Sequence, residues 1–272
     1  MTFESSAANQ RHEASPDAPK FRIAMAALSG IAVVAIVVAI VVASSGSARR
    51  GASTPWSSFR PESSGSRGAW EIAQFVSPYY RTSGSQQLAA VVPMQLTQST
   101  TGAGLTVAVN DNPVGKQSLG LLNDGATVGY EVCGIAATTN CDVAGTATPD
   151  RGLLLRREAL ELALYTFKYV KQSQTVIVVL PPAHTVTASG MDETAVTAAV
   201  GFVRANLQPW LKVPLAETLQ QYPPTLSKLN LWSKTQEASF VDQLTARSLF
   251  STKVESLQEG GSELVLTPLP AQ

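Results

Sequence analysis

His184 is followed within ten residues by Ser189, Asp192 and Glu193. A histidine base with a hydroxyl or carboxylate partner is raw material for general-base or nucleophilic chemistry. The segment follows "LPPA" at the end of a predicted strand, where open α/β sheets often bind ligands. The same residues equally describe a loop histidine ahead of a capped helix, since nothing in their spacing fixes a catalytic geometry. His184, Ser189 and Asp192 are therefore carried as a candidate polar site, and no residue is assigned as catalytic. Hydrolysis by paired carboxylates needs two acids at a defined separation. Glu131, Asp142, Asp150, Asp192 and Glu193 are available, and no spacing singles out a pair. The chain carries no H-E-x-x-H, G-x-S-x-G, P-loop or dinucleotide fingerprint. Gly102, Gly104 and Gly120 read as turn glycines, without the strand-to-helix setting that cradles phosphate.

Cys133 and Cys141 are the only cysteines, and His12 and His184 the only histidines. A zinc site would need more ligands than the close cysteine pair supplies, and a C-x-x-C redox spacing is absent. The pair fits a disulfide formed in an oxidising compartment, with two unrelated thiols as the alternative. No metal or cofactor is expected.

The densest charge cluster is Arg156-Arg157-Glu158 with Glu161, inside "RGLLLRREALELALYTFKYV". At about 100° per residue, Leu160, Leu164 and Phe167 fall near Leu153, and Leu155, Ala159, Leu162, Ala163 and Val170 widen that arc. Arg157, Glu161 and Lys168 gather opposite, with Glu158 and Tyr165 beside them. That arrangement predicts a solvated stripe with an i,i+4 pair worth about 0.3–0.5 kcal/mol. Arg156 falls inside the apolar arc. It is the candidate buried charge, with Asp150 or Glu131 as possible partners, or with its head escaping to solvent.

The surrounding elements form one mixed α+β domain, placed at residues 70–272. "AWEIAQFVSPYYR" puts Ile72, Phe75, Val76 and Tyr79 on one helical face. "QLAAVVPMQL", "GLTVAVND" and "ATVGYEVCGI" read as strands. Thr175 to Leu180 is a continuous apolar run, which predicts a strand covered on both faces. Strand, long helix and strand make a crossover unit. Further helices are expected over Met191 to Leu207, in "PLAETLQQYPP" and in "TQEASFVDQLTARS". A terminal hairpin turns at Glu259-Gly260-Gly261.

Ahead of this domain, Ile23 to Ala43 carries no charge. Some 21 apolar residues suffice to cross a hydrocarbon core of about 30 Å as a helix. Residues 22–43 are expected to span the lipid bilayer after a cytoplasmic tail at 1–21, with a cleaved signal peptide as the alternative. Lys/Arg counts on the two sides are nearly balanced, and the cysteine pair favours the C-terminal domain outside. Ala35, Ala39 and Ala43 form a small-residue seam that would permit self-association. Residues 44–69 are rich in Ser, Gly and Pro and read as a flexible linker. With 20 Lys+Arg against 20 Asp+Glu, the chain lacks the basic excess that nucleic-acid binding needs.

The stretches "PWSSFRP", "WEIAQFVSPYYR" and "GLLLRREALELALYTFKYV…VVLPP" together resemble uncharacterised single-pass membrane proteins of high-GC Gram-positive bacteria. The resemblance covers most of the chain; it implies a membrane location and supplies no site residues. The sequence thus points to a single-pass membrane protein with an extracytoplasmic interaction or assembly module for a cell-envelope protein partner. A ligand-sensing domain and an envelope hydrolase using His184 or paired acids are the alternatives. Catalysis is left open, with the absence of motifs favouring a binding role.

Overall fold

The computed structural model describes residues 55–83, 86–97, 104–110, 119–122, 124–135, 141–143, 146–182, 197–258 and 260–270. The expected membrane segment 22–43, with Ala35, Ala39 and Ala43, lies outside the described residues, as do His184, Ser189, Asp192 and Glu193. Among the described residues, no helix is long and apolar enough to cross a membrane. The chain divides into Met1–Ser53 and Thr54–Gln272, and the following concerns the second unit.

The fold is mixed α+β, built on one large sheet. Helix α1 (Gly65–Val76) is followed by a small antiparallel pair, β1 (Arg81–Ser83) and β2 (Gln86–Gln87). The large sheet comprises β3 (Ala89–Pro93), β4 (Leu105–Asn110), β5 (Leu119–Leu121), β6 (Thr127–Gly134), β7 (Thr175–Val179), β8 (Ala198–Val203), β9 (Leu249–Ser256) and β10 (Ser262–Pro268). Their spatial order is β3-β6-β7-β8-β9-β10-β4-β5. Only β6–β7 and β10–β4 run parallel; the other neighbours are antiparallel. Helix α2 (Pro149–Tyr169) makes the crossover from β6 to β7, as the strand–helix–strand order predicts. The remaining helices are α3 (Arg204–Leu207), α4 (Leu229–Trp232) and α5 (Gln236–Thr245). The expected terminal hairpin is present, with Gly260 and Gly261 at φ of 91° and 84°, a conformation that costs glycine little.

The continuous apolar run of β7 has the physical cause its pattern implies. Tyr130 of β6 turns its hydroxyl to Thr166 of α2 at 2.7 Å, and the register sets Val178 and Val200 beside Tyr130 on that face. The alternate residue Ile177 joins Val107, Ala199, Leu264 and Leu266 in a second apolar cluster on the opposite face. Both faces therefore bury side chains, and period-two alternation disappears.

Two expected elements are corrected. The helix over Met191 to Leu207 is, in its described part, strand β8 followed by one helical turn. Ala198–Val203 pairs with β7 on one side and its start with β9 on the other, so sheet partners override local helical pattern. The boundary at residue 70 also moves. The described chain is packed from residue 55, and α1 starts at Gly65 rather than Trp70. Trp56 meets Tyr165 and Tyr169 edge to face, with centroids 5.3 and 5.8 Å apart. Phe59 stacks on Phe75 at 4.0 Å, and Tyr169 donates to the Phe59 carbonyl at 3.0 Å. Residues 55–63 form a strap across α2, so the second half of the expected linker belongs to the folded unit.

Helix α2 is the central element. Thr148 caps it by accepting from the Arg151 N–H at 3.2 Å, and Pro149 occupies its first turn. One side faces the sheet. The other is covered by α1, α4, α5 and the strap. Arg204, just after β8, closes its C-terminal end: its guanidinium donates to the carbonyls of Phe167, Val170 and Ser173 at 2.6, 2.9 and 2.6 Å. The Val170 carbonyl also accepts the Ser173 N–H at 3.1 Å, and Arg204 adds charged donors where the helix runs out of its own N–H groups.

Candidate functional site

The expected solvated stripe on α2 is the most deeply buried charge in the described chain. Arg157 and Glu158 are both 0% exposed and Glu161 is 7% exposed. The azimuths predicted from the sequence hold, but what lies beyond them is protein: α1, α5 and the 214–221 segment cover the face that a lone helix would turn to water.

Around Arg157 the geometry closes completely. Nε and Nη2 both reach Glu237 Oε1 at 2.9 Å. Nη1 donates to Tyr80 Oη at 2.6 Å and to Glu161 Oε2 at 3.0 Å. Nη2 also donates to the Gln220 carbonyl at 2.6 Å. The cluster ties together α2, the Tyr80 turn, the 220 segment and α5, at sequence separations of up to 80 residues. Glu237 is itself saturated: Oε1 accepts the Gln220 N–H and Oε2 the Trp232 indole N–H, both at 2.8 Å. Tyr80 donates to Glu161 Oε2 at 2.8 Å.

Burial opposes the Arg157 charge, but Tyr80, Glu161 and Glu237 outweigh it, so the guanidinium pKa lies above its ordinary value. Burial pushes the Glu161 carboxyl up, against the pull of Arg157 and the Tyr80 hydrogen bond. Burial likewise drives the Tyr80 hydroxyl well above the usual phenol range. Glu158 is pushed furthest from ordinary carboxylate behaviour, by burial first and then by Glu161. Neither of its oxygens has a hydrogen-bond partner, and a carboxyl in that setting holds its proton.

Arg156 behaves differently from its neighbour. Its side chain is 16% exposed and pairs with Asp242 Oδ1 at 2.7 Å, and it donates to Thr245 Oγ1 at 3.0 Å. The partner is on α5, and neither Asp150 nor Glu131 is involved. Asp242 is 55% exposed, which limits the pair to less than about 1 kcal/mol. Cys133 and Cys141 form a disulfide. Beside it the Gly134 N–H donates to the Cys141 carbonyl at 2.8 Å. Among the described residues, no group of three or more His, Cys, Asp or Glu is placed to hold a metal ion.

Above the cluster lies a cleft of about 270 Å³ between the strap and residues 214–221. Trp56, Phe75, Tyr79 and Tyr165 line it with Leu215 and Leu219, and Glu161 reaches it from the buried cluster. Phe75 stands at steep angles to Tyr79 and Tyr165, with centroids 5.3 and 5.6 Å away. Tyr165 is fixed by a 2.5 Å hydrogen bond between its hydroxyl and Ser57 Oγ.

Sequence reasoning missed Tyr80 and Glu237, and it named Glu161, Tyr165, Phe75 and Tyr79 without bringing them together as one cleft. The available signal was the continuation of one α2 face: Arg157, Glu158 and Glu161 give way to Tyr165 and Tyr169, which is unsuited to a fully wetted surface. Trp56 and Phe59 in the expected linker supply the covering rings. Compared with known protein families, curated proteins and solved structures, the chain matches none of them.

Proposed function

We propose that this chain is a membrane-anchored interaction or assembly module of the cell envelope, non-enzymatic, with its folded unit outside the membrane. The observation that carries the binding role is the closure of the Arg157 cluster. All three guanidinium nitrogens are engaged inside the fold, and Glu158 is sealed at 0% exposure. Groups so paired or enclosed hold elements together and are poorly placed to exchange protons with a substrate. The disulfide suits an oxidising compartment, and the apolar run 22–43 supplies an anchor long enough to span the bilayer.

The test is site-specific photocrosslinking in intact cells. A photoreactive residue is placed at Trp70, Tyr222 or Leu231, which are exposed apolar positions, and at Lys253 as a polar comparison. The expected outcome is a discrete adduct with another envelope protein from at least one apolar position and none from Lys253. Absence of any adduct from all the apolar positions would overturn the module reading. A second reading, a ligand-sensing domain, draws on one observation: the cleft beside Glu161 is mostly apolar with a few convergent polar groups, the general character of small-molecule sites.

A further inference from the structure

Two carboxylates, Glu161 and Glu237, share the single Arg157 guanidinium. They are not equivalent. Both oxygens of Glu237 carry hydrogen bonds from within the fold. Glu161 spends only Oε2, on Arg157 and Tyr80. Its Oε1 takes no hydrogen bond among the described residues, and Glu161 is one of the residues lining the cleft. The side chain is more than nine-tenths buried. That oxygen is not among the sealed, unpartnered atoms of the fold, so it is open to the cleft, and an occupant that covered it without pairing it would bear the cost of its desolvation.

The walls specify what kind of partner fits. Trp56, Phe75, Tyr79 and Tyr165 line the cleft, and aromatic faces attract cations. An anion would meet Glu161. A neutral apolar molecule would cover Oε1 without satisfying it. A strongly hydrated point charge, such as a metal ion or a primary ammonium, would have to shed water that these walls cannot replace. An alkylated ammonium group is weakly hydrated, fits ring faces, and offers charge to the carboxylate. The cleft volume of about 270 Å³ sits just below the usual range for drug-sized ligands, so the occupant is small. Lys168 lies 5.3 Å from the Trp56 ring but is held by the Leu211 carbonyl at 2.7 Å, and it is not among the residues lining the cleft.

We propose that this cleft is a binding site for a small organic cation bearing an alkylated ammonium head, with Trp56, Phe75 and Tyr79 supplying ring faces and Glu161 the counter-charge. The site does not depend on the envelope-partner function.

The experiment titrates the full chain, in a maltoside detergent free of choline head groups, with choline and with its neutral isostere 3,3-dimethylbutan-1-ol. Binding is followed by calorimetry and tryptophan fluorescence. Choline should bind saturably, and the isostere roughly tenfold more weakly. Tyr79 is 37% exposed, so Tyr79→Leu should keep the melting temperature while weakening choline roughly fivefold. Glu161→Gln should erase the preference for choline over the isostere. Equal binding of the two compounds to the wild type, no saturable binding of choline, or an unchanged choline affinity in folded Tyr79→Leu would each overturn the site. If Glu161→Gln does not fold, the isostere comparison and Tyr79→Leu decide the matter.

Discussion

Glu158 sits on the central helix with no exposure and no hydrogen-bond partner for either carboxyl oxygen. Its ordinary pKa is 4.5, and burial raises it well above that in the fold, with Glu161 adding to the rise and Arg157 opposing it. The folded chain therefore keeps a proton that the unfolded chain releases. For a raised carboxyl the stabilising contribution is fully present below 4.5 and is lost as pH climbs toward the folded pKa. Glu158→Met removes the titration and fills similar space with apolar atoms. It should stabilise the folded unit by about 1–3 kcal/mol near pH 7.5, and by less near pH 4. Urea denaturation of both proteins at the two pH values measures this. A gain that is the same at both would show that Glu158 is not the titrating group. This residue also shows why the site was only partly legible. Helical azimuth correctly grouped Arg157, Glu158 and Glu161, but azimuth says nothing about what lies outside the helix. Arg156 stood out only because its immediate neighbours on the arc were apolar, yet it reaches the half-exposed Asp242. Arg157 looked ordinary; its i,i+4 partner Glu161 was legible, but its other partners come from residues 80, 220 and 237, which no local pattern connects.

At the scale of elements, what could be read depended on how local the determining contacts are. The crossover β6–α2–β7 was legible because helix period, strand run and order lie within about fifty consecutive residues. The terminal hairpin was legible from its glycines. The parallel pairing of β10 with β4 was not, because its partners are about 157 residues apart, Leu264 opposite Val107. Strand β8 was misread because "AVTAAVGFV" is compatible with either period, and its pairing with β7 and β9 decides the outcome. Arg204, where β8 ends, links the two layers. It supplies donors to three carbonyls at the end of α2 and the turn that follows, and its guanidinium lies 5.1 Å from the Phe167 ring centre. Hydrogen bonds from a charged donor are worth about 1.5–3 kcal/mol each at most, and losing one partly buried donor leaves its acceptors only partly rehydrated. Arg204→Ala should therefore cost about 2–4 kcal/mol. Arg204→Lys should recover only part of that, since one ammonium cannot reproduce the fork. Denaturation midpoints of the two variants rank them, and full recovery by lysine would show that charge alone suffices at the helix end.

For the whole molecule, the decisive question is where the folded unit begins. Composition places the boundary at residue 70, because Ser, Gly and Pro dominate residues 44–69 and such segments usually behave as tethers. Contacts place it near residue 54. The difference is fifteen described residues, 55–69, that carry Trp56, Phe59 and the first turn of α1. Trp56 and Phe59 close the aromatic layer over Tyr165 and Phe75, and the Trp56 carbonyl accepts the Leu215 N–H at 2.7 Å. Both rings are only partly buried, so each costs less to remove than the about 3–5 kcal/mol of a fully buried aromatic, yet the usual domain has only about 5–15 kcal/mol in hand. Two truncations separate the boundaries. A chain of residues 54–272 should express in soluble form and melt cooperatively. A chain of residues 70–272 loses both rings and the first five of α1's twelve residues, and should aggregate or melt without a cooperative transition. Should the shorter chain melt within a few degrees of the longer one, the strap would be peripheral, and the aromatic cleft it helps to enclose would lose its structural basis along with it.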